Sequence, residues 1–256
     1  MRRPESTHPS GAIALGADAT TGPWLVPVHG GWELDPEGST VRLDASAAAR
    51  VVAAAVAAVA ERGGGTMRLW VRGDDEPPDA AALAAHMTLT RELLQMRRTL
   101  PVDEPAQLLV RPFVVGADEP AWLEVNNRAF EWHPEQGHMT LAELRVHEAA
   151  PWFDPAGFLL HEEHGALVGF CWTKIHPTET PPLGEIFVIA VDPAAHQRGL
   201  GRQLVLAGLA HLHQRGLTVG MLYTESDNAP AVRLYRDLGF TVHRTDRSYV
   251  VDVPAP

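Results

Sequence analysis

The segment from Gly184 to Leu204, GEIFVIAVDPAAHQRGLGRQL, constrains the fold more than any other stretch of the chain. Its first part, Ile186 to Val191, is a run of β-branched and aromatic residues of strand length. Asp192-Pro193 ends that run, and after Gly199 and Gly201 an apolar helical pattern takes over at Leu200, Leu204, Leu206 and Leu209. A strand, a glycine-rich turn and a helix N-terminus in succession make an anion cradle. Glycines allow close backbone approach, the first helical amides have no intrahelical partner, and the helix dipole favours negative charge. Arg198 and Arg202 flank the turn with guanidinium forks suited to phosphate. The stretch has neither the Gly-Lys-Ser/Thr of a P-loop nor a complete GxGxxG fingerprint, so it predicts a pyrophosphate held without that machinery.

Coenzyme A is such a ligand. QRGLG after a strand resembles the pyrophosphate loop of the GNAT acetyltransferases, whose usual pattern is Gln/Arg-x-x-Gly-x-Gly; His196 stands in the first slot here. That departure changes one side-chain contact and leaves the backbone cradle intact. Downstream, Asn228 to Phe240, NAPAVRLYRDLGF, resembles the second GNAT hallmark, Asn-x-x-Ala-x-x-x-Tyr-x-x-x-Gly-Phe, in the expected order and spacing. The resemblance implies an α/β fold with a mixed sheet and acetyl-CoA as co-substrate. It further implies that the cofactor runs along Ile189, Ala190 and Val191, that His196, Gln197, Arg198, Gly199, Leu200, Gly201 and Arg202 surround its pyrophosphate, and that Asn228 and Arg233 approach it.

Composition sets outer bounds. A chain of 256 residues, 45% hydrophobic, has room for one large domain or two small ones. Its single cysteine, Cys171, excludes an internal disulfide framework and suits a reducing cytoplasm. The longest apolar run, Val51 to Ala60, is an alanine-rich helical pattern well short of the roughly 20 residues a membrane span needs. No apolar stretch follows the Met-Arg-Arg start, so no signal peptide is expected. A formal net charge of −11 argues against nucleic acid as a partner and leaves phosphate binding to local groups. The expected partner is a small-molecule amine, with no membrane, nucleic-acid or metal partner and a monomeric chain.

The chain also resembles itself. A shift of 153 positions sets Ala210–Gly216 on Ala57–Gly63, Leu222-Tyr223 on Leu69-Trp70, and Asp227 on Asp74. After a two-residue slip Leu234 meets Leu83 and Phe240 meets Leu89. This predicts a duplicated helix–strand–helix–strand unit, with the copies joined near Thr99–Ala106, TLPVDEPA. In the first copy Ser46 and Ala48 stand where the second has Gly199 and Gly201, Ala45 stands opposite Arg198, and Ala84 opposite Tyr235. Side chains at the loop positions would obstruct a pyrophosphate, so the first copy is expected to be degenerate and truncated, without cofactor. The predicted division is 1–35 irregular or poorly ordered, 36–104 the truncated, degenerate copy and 105–256 the catalytic domain.

In the second half, Gln107–Val114 reads as a strand and Pro120–Phe130 as a helix with Trp122, Val125 and Phe130 on one face. Thr140 is placed to N-cap a helix with Glu143 at the reach-back position. Phe158–His161 and Ala166–Lys174 form a hairpin across His164-Gly165. A strand at Thr218–Thr224, a helix at Ala229–Leu238 and a strand near Ser248–Val253 complete the order.

Three further strings narrow the resemblance. Val125–Gly137 (VNNRAFEWHPEQG), Phe170–Pro177 (FCWTKIHP) and Leu183–Val191 resemble stretches of the mycothiol synthases, as does Leu94–Leu100 (LQMRRTL), the segment joining that family's two halves. Mycothiol synthases are two-copy GNAT proteins that move acetyl from acetyl-CoA to the cysteinyl amine of cysteinyl-glucosaminyl-inositol. The family's first copy is longer and contributes a substrate-contacting Glu that has no counterpart here. The resemblance makes Glu185 the general base and Tyr235 the general acid, and places Glu135, Lys174, Glu185 and Tyr223 at the substrate.

The chemistry agrees with those residue types. An amine must lose a proton before it attacks a thioester, the departing thiolate benefits from a donor, and a splayed strand's backbone amide can support the acyl oxygen. Each residue also has a plainer reading. Glu185 could be an ordinary strand-end carboxylate, Tyr235 core packing, Asn228 a helix cap, and Arg233 and Lys174 solvated charges. His161 and His164 bracket two glutamates in HEEH, which is not the helical HExxH of a zinc site, and Cys171 between Phe170 and Trp172 reads as packing. The competing functions are a GNAT enzyme with another amine acceptor, such as an aminoglycoside, polyamine or peptide N-terminus, and a non-catalytic coenzyme A-binding module.

Overall fold

Eleven strands and six α-helices follow one another in the computed structural model, which describes residues 12–15, 23–28, 30–35, 44–73, 76–131, 137–196 and 198–256. They fall into two units. The first comprises Met1–Gln95, Glu225–Ala229 and His243–Pro256, and the second Met96–Thr224 and Pro230–Val242.

In the first unit, β1 (Ile13–Ala14), β2 (Trp24–Val28) and β3 (Gly31–Asp35) are antiparallel neighbours. The chain then crosses through α1 (Ala45–Ala60) to β4 (Gly65–Val71), which lies parallel to β3. After α2 (Glu76–Ala84) comes β5 (Thr88–Thr99), whose first part belongs to this unit, as does most of β11 (Thr241–Val253). The strand order is β1-β2-β3-β4-β11-β5, with β11 antiparallel to β4 from Arg247↔Val71 to Val253↔Gly65. Leu25, Leu34, Met67, Leu69 and Tyr249 make the core with Val52 and Val59 of α1 and Ala81 and Ala82 of α2.

The second unit contains β6 (Arg111–Pro112), α3 (Glu119–Ala129), α4 (Leu141–Glu148), β7 (Phe158–Glu163), β8 (Ala166–His176), β9 (Leu183–Val191), α5 (Leu200–Gln214), β10 (Val219–Glu225) and α6 (Ala229–Asp237). Its order is β5-β10-β9-β8-β7-β6. β7, β8 and β9 form antiparallel pairs, and the crossover through α5 sets β10 parallel to β9. One face of the sheet carries an aromatic core in which Trp172 stacks on Phe158 at 4.4 Å and Trp122 meets Phe158 edge-on at 5.4 Å. α5 covers the other face at very close range, because a Cβ on Gly208 would lie 2.5 Å from the Cys171 sulfur and one on Gly184 2.8 Å from Leu212. Glycine inside a helix costs about 0.5–1 kcal/mol relative to alanine, and here it lets the helix sit down on the strands.

Local signals hold up well. Thr140 and Glu143 form the reciprocal capping box at the start of α4, and the hairpin turns at His164-Gly165. Both halves contain an antiparallel hairpin and a parallel crossover; the starts of α2 and α6, like those of β5 and β11, are 153 positions apart, without the two-residue slip, and those of α1 and α5 are 155 apart.

Three expectations need correction. Residues 1–35 read as irregular or poorly ordered from their Gly, Pro, Ser and Thr content, and the described residues among them include β1, β2 and β3. Leu25 and Leu34 face each other in the register and are fully buried. The strand read over Gln107–Val114 shrinks to Arg111–Pro112. The Leu109 carbonyl is taken by His161 Nδ1 at 2.8 Å and the Val114 amide donates to Asp118 at 2.7 Å, so neither is free for a ladder. Finally, the units do not divide at residue 104, because β11 lies beside β4 and the last part of β5 beside β10.

Candidate active site

β9 runs through the middle of the second unit and departs from regularity where the chemistry is expected. Trp172 faces Val188 but the next residue, Thr173, faces Ile186, so Phe187 is an extra residue, a β-bulge that interrupts the ladder and re-aims its neighbours. On the other side, pairing with β10 covers three residues and ends at Ile186↔Leu222. Beyond that point the two parallel strands part, which leaves the Phe187–Val191 stretch, with Ile189, Ala190 and Val191, unpaired toward β10.

Glu185 sits just before the bulge and is 6% exposed. Its register partners are Lys174 on β8 and Met221 on β10; Tyr223, half-buried, follows two residues after Met221. The Lys174 ammonium does not pair with Glu185 but lies over the rings of Trp152, at 4.4 Å, and Phe187, at 5.1 Å. The group that touches Glu185 is His176, whose Nε2 is 2.7 Å from Oε2. His147 stands edge-on to Trp152 and Trp172, and burial, helped by the Lys174 charge, pushes its pKa down.

The turn after β9 is built from Asp192. This carboxylate accepts from the Ala194 amide at 2.9 Å and from Arg128, at the end of α3, at 2.5 Å. Burial opposes its ionisation, but these two donors outweigh it and hold the carboxyl below the usual carboxylate range. His196 folds back to the Val191 carbonyl at 3.0 Å, and Gly199, at φ +76°, is the N-cap of α5. Gly199 has no side chain to cap this helix, so among the described residues its first amides are left available to a ligand. The contrast with α1 is direct, because there Asp44 accepts from the Ala47 amide at 2.7 Å and occupies the equivalent position with a carboxylate. Gly201 is informative in another way. Its φ is not positive, and a Cβ there would meet only Leu234, at 3.9 Å, so internal packing does not require a glycine. A ligand drawn against the backbone does, and on these grounds the site fits a coenzyme A pyrophosphate. Both flanking cations are engaged within the protein: Arg198 with Glu163 at 2.8 Å and Arg202 with Glu104 at 2.5 Å.

Tyr235 lies on α6, 7% exposed, with its ring 5.9 Å from Phe240. Burial, assisted by Cys171, pushes its pKa up to about 12, so its hydroxyl remains a proton donor at neutral pH. Burial raises the Cys171 thiol to about 12 as well, which suits packing and not nucleophilic attack. Arg233 is exposed on the same helix as Tyr235, whereas Asn228 belongs to the first unit. Gln197 and Glu135 lie outside the described residues. Among the described residues, no group of three or more His, Cys, Asp or Glu could hold a metal ion.

Sequence reasoning passed over His176, Trp152 and Phe187 as site residues. A period-2 reading of FCWTKIHP would have put His176 on the face of Lys174, but nothing local announces Trp152, which arrives from the loop after α4.

Residues 120–240 match the acetyltransferase (GNAT) family. Among curated relatives, the mycothiol acetyltransferase of Thermomonospora curvata is 51% identical over 198 residues, 75% of this chain and 66% of its own. That of Nocardia farcinica is 43% identical over 241 residues, 89% of this chain and 78% of its own. With that of Frankia alni the match covers 59% of the relative, so the chain spans roughly two thirds of the length of such relatives. Among solved structures, a GCN5-related N-acetyltransferase from Sphaerobacter thermophilus superposes with a TM-score of 0.67 at 20% identity, over 91% of this chain and 78% of that one. A tandem GNAT protein from the clavulanic acid biosynthesis pathway gives 0.63 at 17% identity, over 91% and 79%. These two likenesses concern the fold alone, but the sequence identities reach further: the chain belongs to the mycothiol acetyltransferase family of GNAT acetyltransferases.

Proposed function

We propose that the chain transfers acetyl from acetyl-CoA to the cysteinyl amine of cysteinyl-glucosaminyl-inositol. The single observation that carries the reading is the conjunction on β9: a nearly buried Glu185 before a bulge, an unpaired edge after it, and an uncapped helix N-terminus at its end. In this reading the pyrophosphate lies against the amides of Gly199–Arg202, with His196, Gln197, Arg198 and Arg233 around the cofactor. Ile189, Ala190 and Val191 hold the pantetheine arm along the open edge of β9. Acetyl-CoA supplies the thioester, and the residues of the chain move the protons. Glu185 takes one from the attacking amine, directly or through a water, and the Tyr235 hydroxyl donates to the departing thiolate. The interruption at Phe187 frees backbone to support the acyl oxygen as charge develops on it. Lys174, steadied by Trp152 and Phe187, acts with Glu135 and Tyr223 on the hydroxyl-rich end of the acceptor.

The test is an acceptor panel with acetyl-CoA, in which the precursor is run beside cysteine, glucosamine, an aminoglycoside and a polyamine, and N-acetylated products are weighed by mass spectrometry. The precursor should lead by at least about tenfold in kcat/KM. If an unrelated amine is turned over better, the substrate assignment fails and the acetyltransferase remains.

A further inference from the structure

We infer that His176 is the residue that aims the Glu185 carboxylate, a positioning role that rests on Glu185 being the base of the proposed transfer. The side chain of Glu185 is 8% exposed, so solvent does little to fix its orientation. The nearest cation in the register, Lys174, is drawn onto Trp152 and Phe187. Among the described residues, His176 is then the one side chain that hydrogen-bonds Glu185, with Nε2 2.7 Å from Oε2.

This division of labour has a chemical reason. An ammonium held against Glu185 would stabilise its ionised form and make it a weaker base. An imidazole N–H donating to Oε2 fixes that oxygen and leaves Oε1 to face the amine. The proton leaving the amine goes to Glu185, while His176 keeps its own proton and acts through the carboxylate. The strands set this up: His176 and Lys174 alternate onto one face of β8, opposite Leu183 and Glu185 on β9, so the contact is a diagonal cross-strand pair. The bulge two residues further along β9 then turns the chain so that Phe187 reaches the Lys174 ammonium.

The experiment compares His176→Leu, His176→Gln and Glu185→Gln with the wild type on the best acceptor from the panel. Leu should lower kcat by about 10- to 100-fold with the acetyl-CoA KM within about twofold, and Gln, whose amide N–H reaches the same place as Nε2, should return kcat to within about fivefold of wild type. The proposal fails if the Leu variant keeps wild-type kcat, if Gln and Leu lose the same amount, or if the loss lies in the acetyl-CoA KM. Full activity of Glu185→Gln would instead overturn the reading of Glu185 as base. A measurement independent of turnover and of variant stability is the imidazole 15N spectrum of the wild-type protein at pH 8. There the ring of His176 should be the Nε2–H tautomer, and an Nδ1–H tautomer would refute the hydrogen bond.

Discussion

Arg198 donates two hydrogen bonds of 2.8 Å to Glu163, so a cation beside the proposed phosphate cradle is already held by a carboxylate across 35 residues of sequence. The hydrogen bonds from Arg198, more than any other influence, hold the Glu163 carboxyl below the usual carboxylate range, and Arg202 does the same for Glu104. A phosphate that uses either guanidinium must displace a competitor from within the protein.

Removing that competitor should help the cofactor. Glu163→Gln is expected to tighten acetyl-CoA binding by up to about fivefold, the range typical of an exposed ion pair. Isothermal titration calorimetry reads the change, and weaker binding would mean that Glu163 orients Arg198 instead of competing for it.

Tyr235→Phe removes a buried proton donor and keeps the ring that packs on Phe240. Turnover should fall by about 10- to 100-fold, since acid assistance to a good leaving group is useful but not essential. Acetyl-CoA affinity should stay near the wild-type value, and its abolition would assign Tyr235 a structural role.

Two glycines on α5 should separate packing from binding. Gly208→Ala drives a methyl toward the Cys171 sulfur and the Ile186 methyl, at 2.5 and 2.7 Å, and should destabilise the protein by about 1–3 kcal/mol. Gly201→Ala meets only Leu234, at 3.9 Å, so the melting temperature should hold or rise slightly while acetyl-CoA affinity drops by about tenfold or more. Thermal denaturation with calorimetry on both variants decides it, and equal effects on stability would remove the argument for a ligand at Gly201.

Asp118 gives the pH dependence. It accepts from Arg111 at 2.7 and 2.9 Å and from the Val114 amide at 2.7 Å, and the Arg111 contact outweighs burial to hold its carboxyl below the usual carboxylate range. A depressed folded-state pKa contributes stability that is complete above the unfolded value of about 3.9 and lost as pH falls through the lower folded value. Asp118→Asn should therefore cost about 2 kcal/mol at pH 7 and much less near pH 2. Urea denaturation at the two pH values measures it, and a constant difference would show that the ion pair does not stabilise the fold.

Much of the site was legible because its signals are short-range. The strand from Ile186 to Val191, the turn at Gly199 and the helix from Leu200 follow from β-branching, glycine freedom and apolar periodicity within about twenty residues. Thr140 and Glu143 found each other across three positions. Composition misled at Trp24–Val28 and Gly31–Asp35, where two buried leucines outweighed the surrounding Gly and Pro.

The amino-acid sequence by itself thus determined the strand, glycine turn and helix from Ile186 onward and the capping box at Thr140, all set by local backbone preference and side-chain chemistry. Tertiary structure alone decided how those groups are used. Pairing across β8 and β9 placed the bulge at Phe187, joined His176 to Glu185 and turned Lys174 onto Trp152. Folding also brought Glu104 to Arg202 across 98 residues and set β11, not β5, beside β4. The physical reason is the same in each case. Which partner satisfies a charge or a strand edge depends on what the whole fold brings within about 3 Å, and sequence neighbours do not encode that distance.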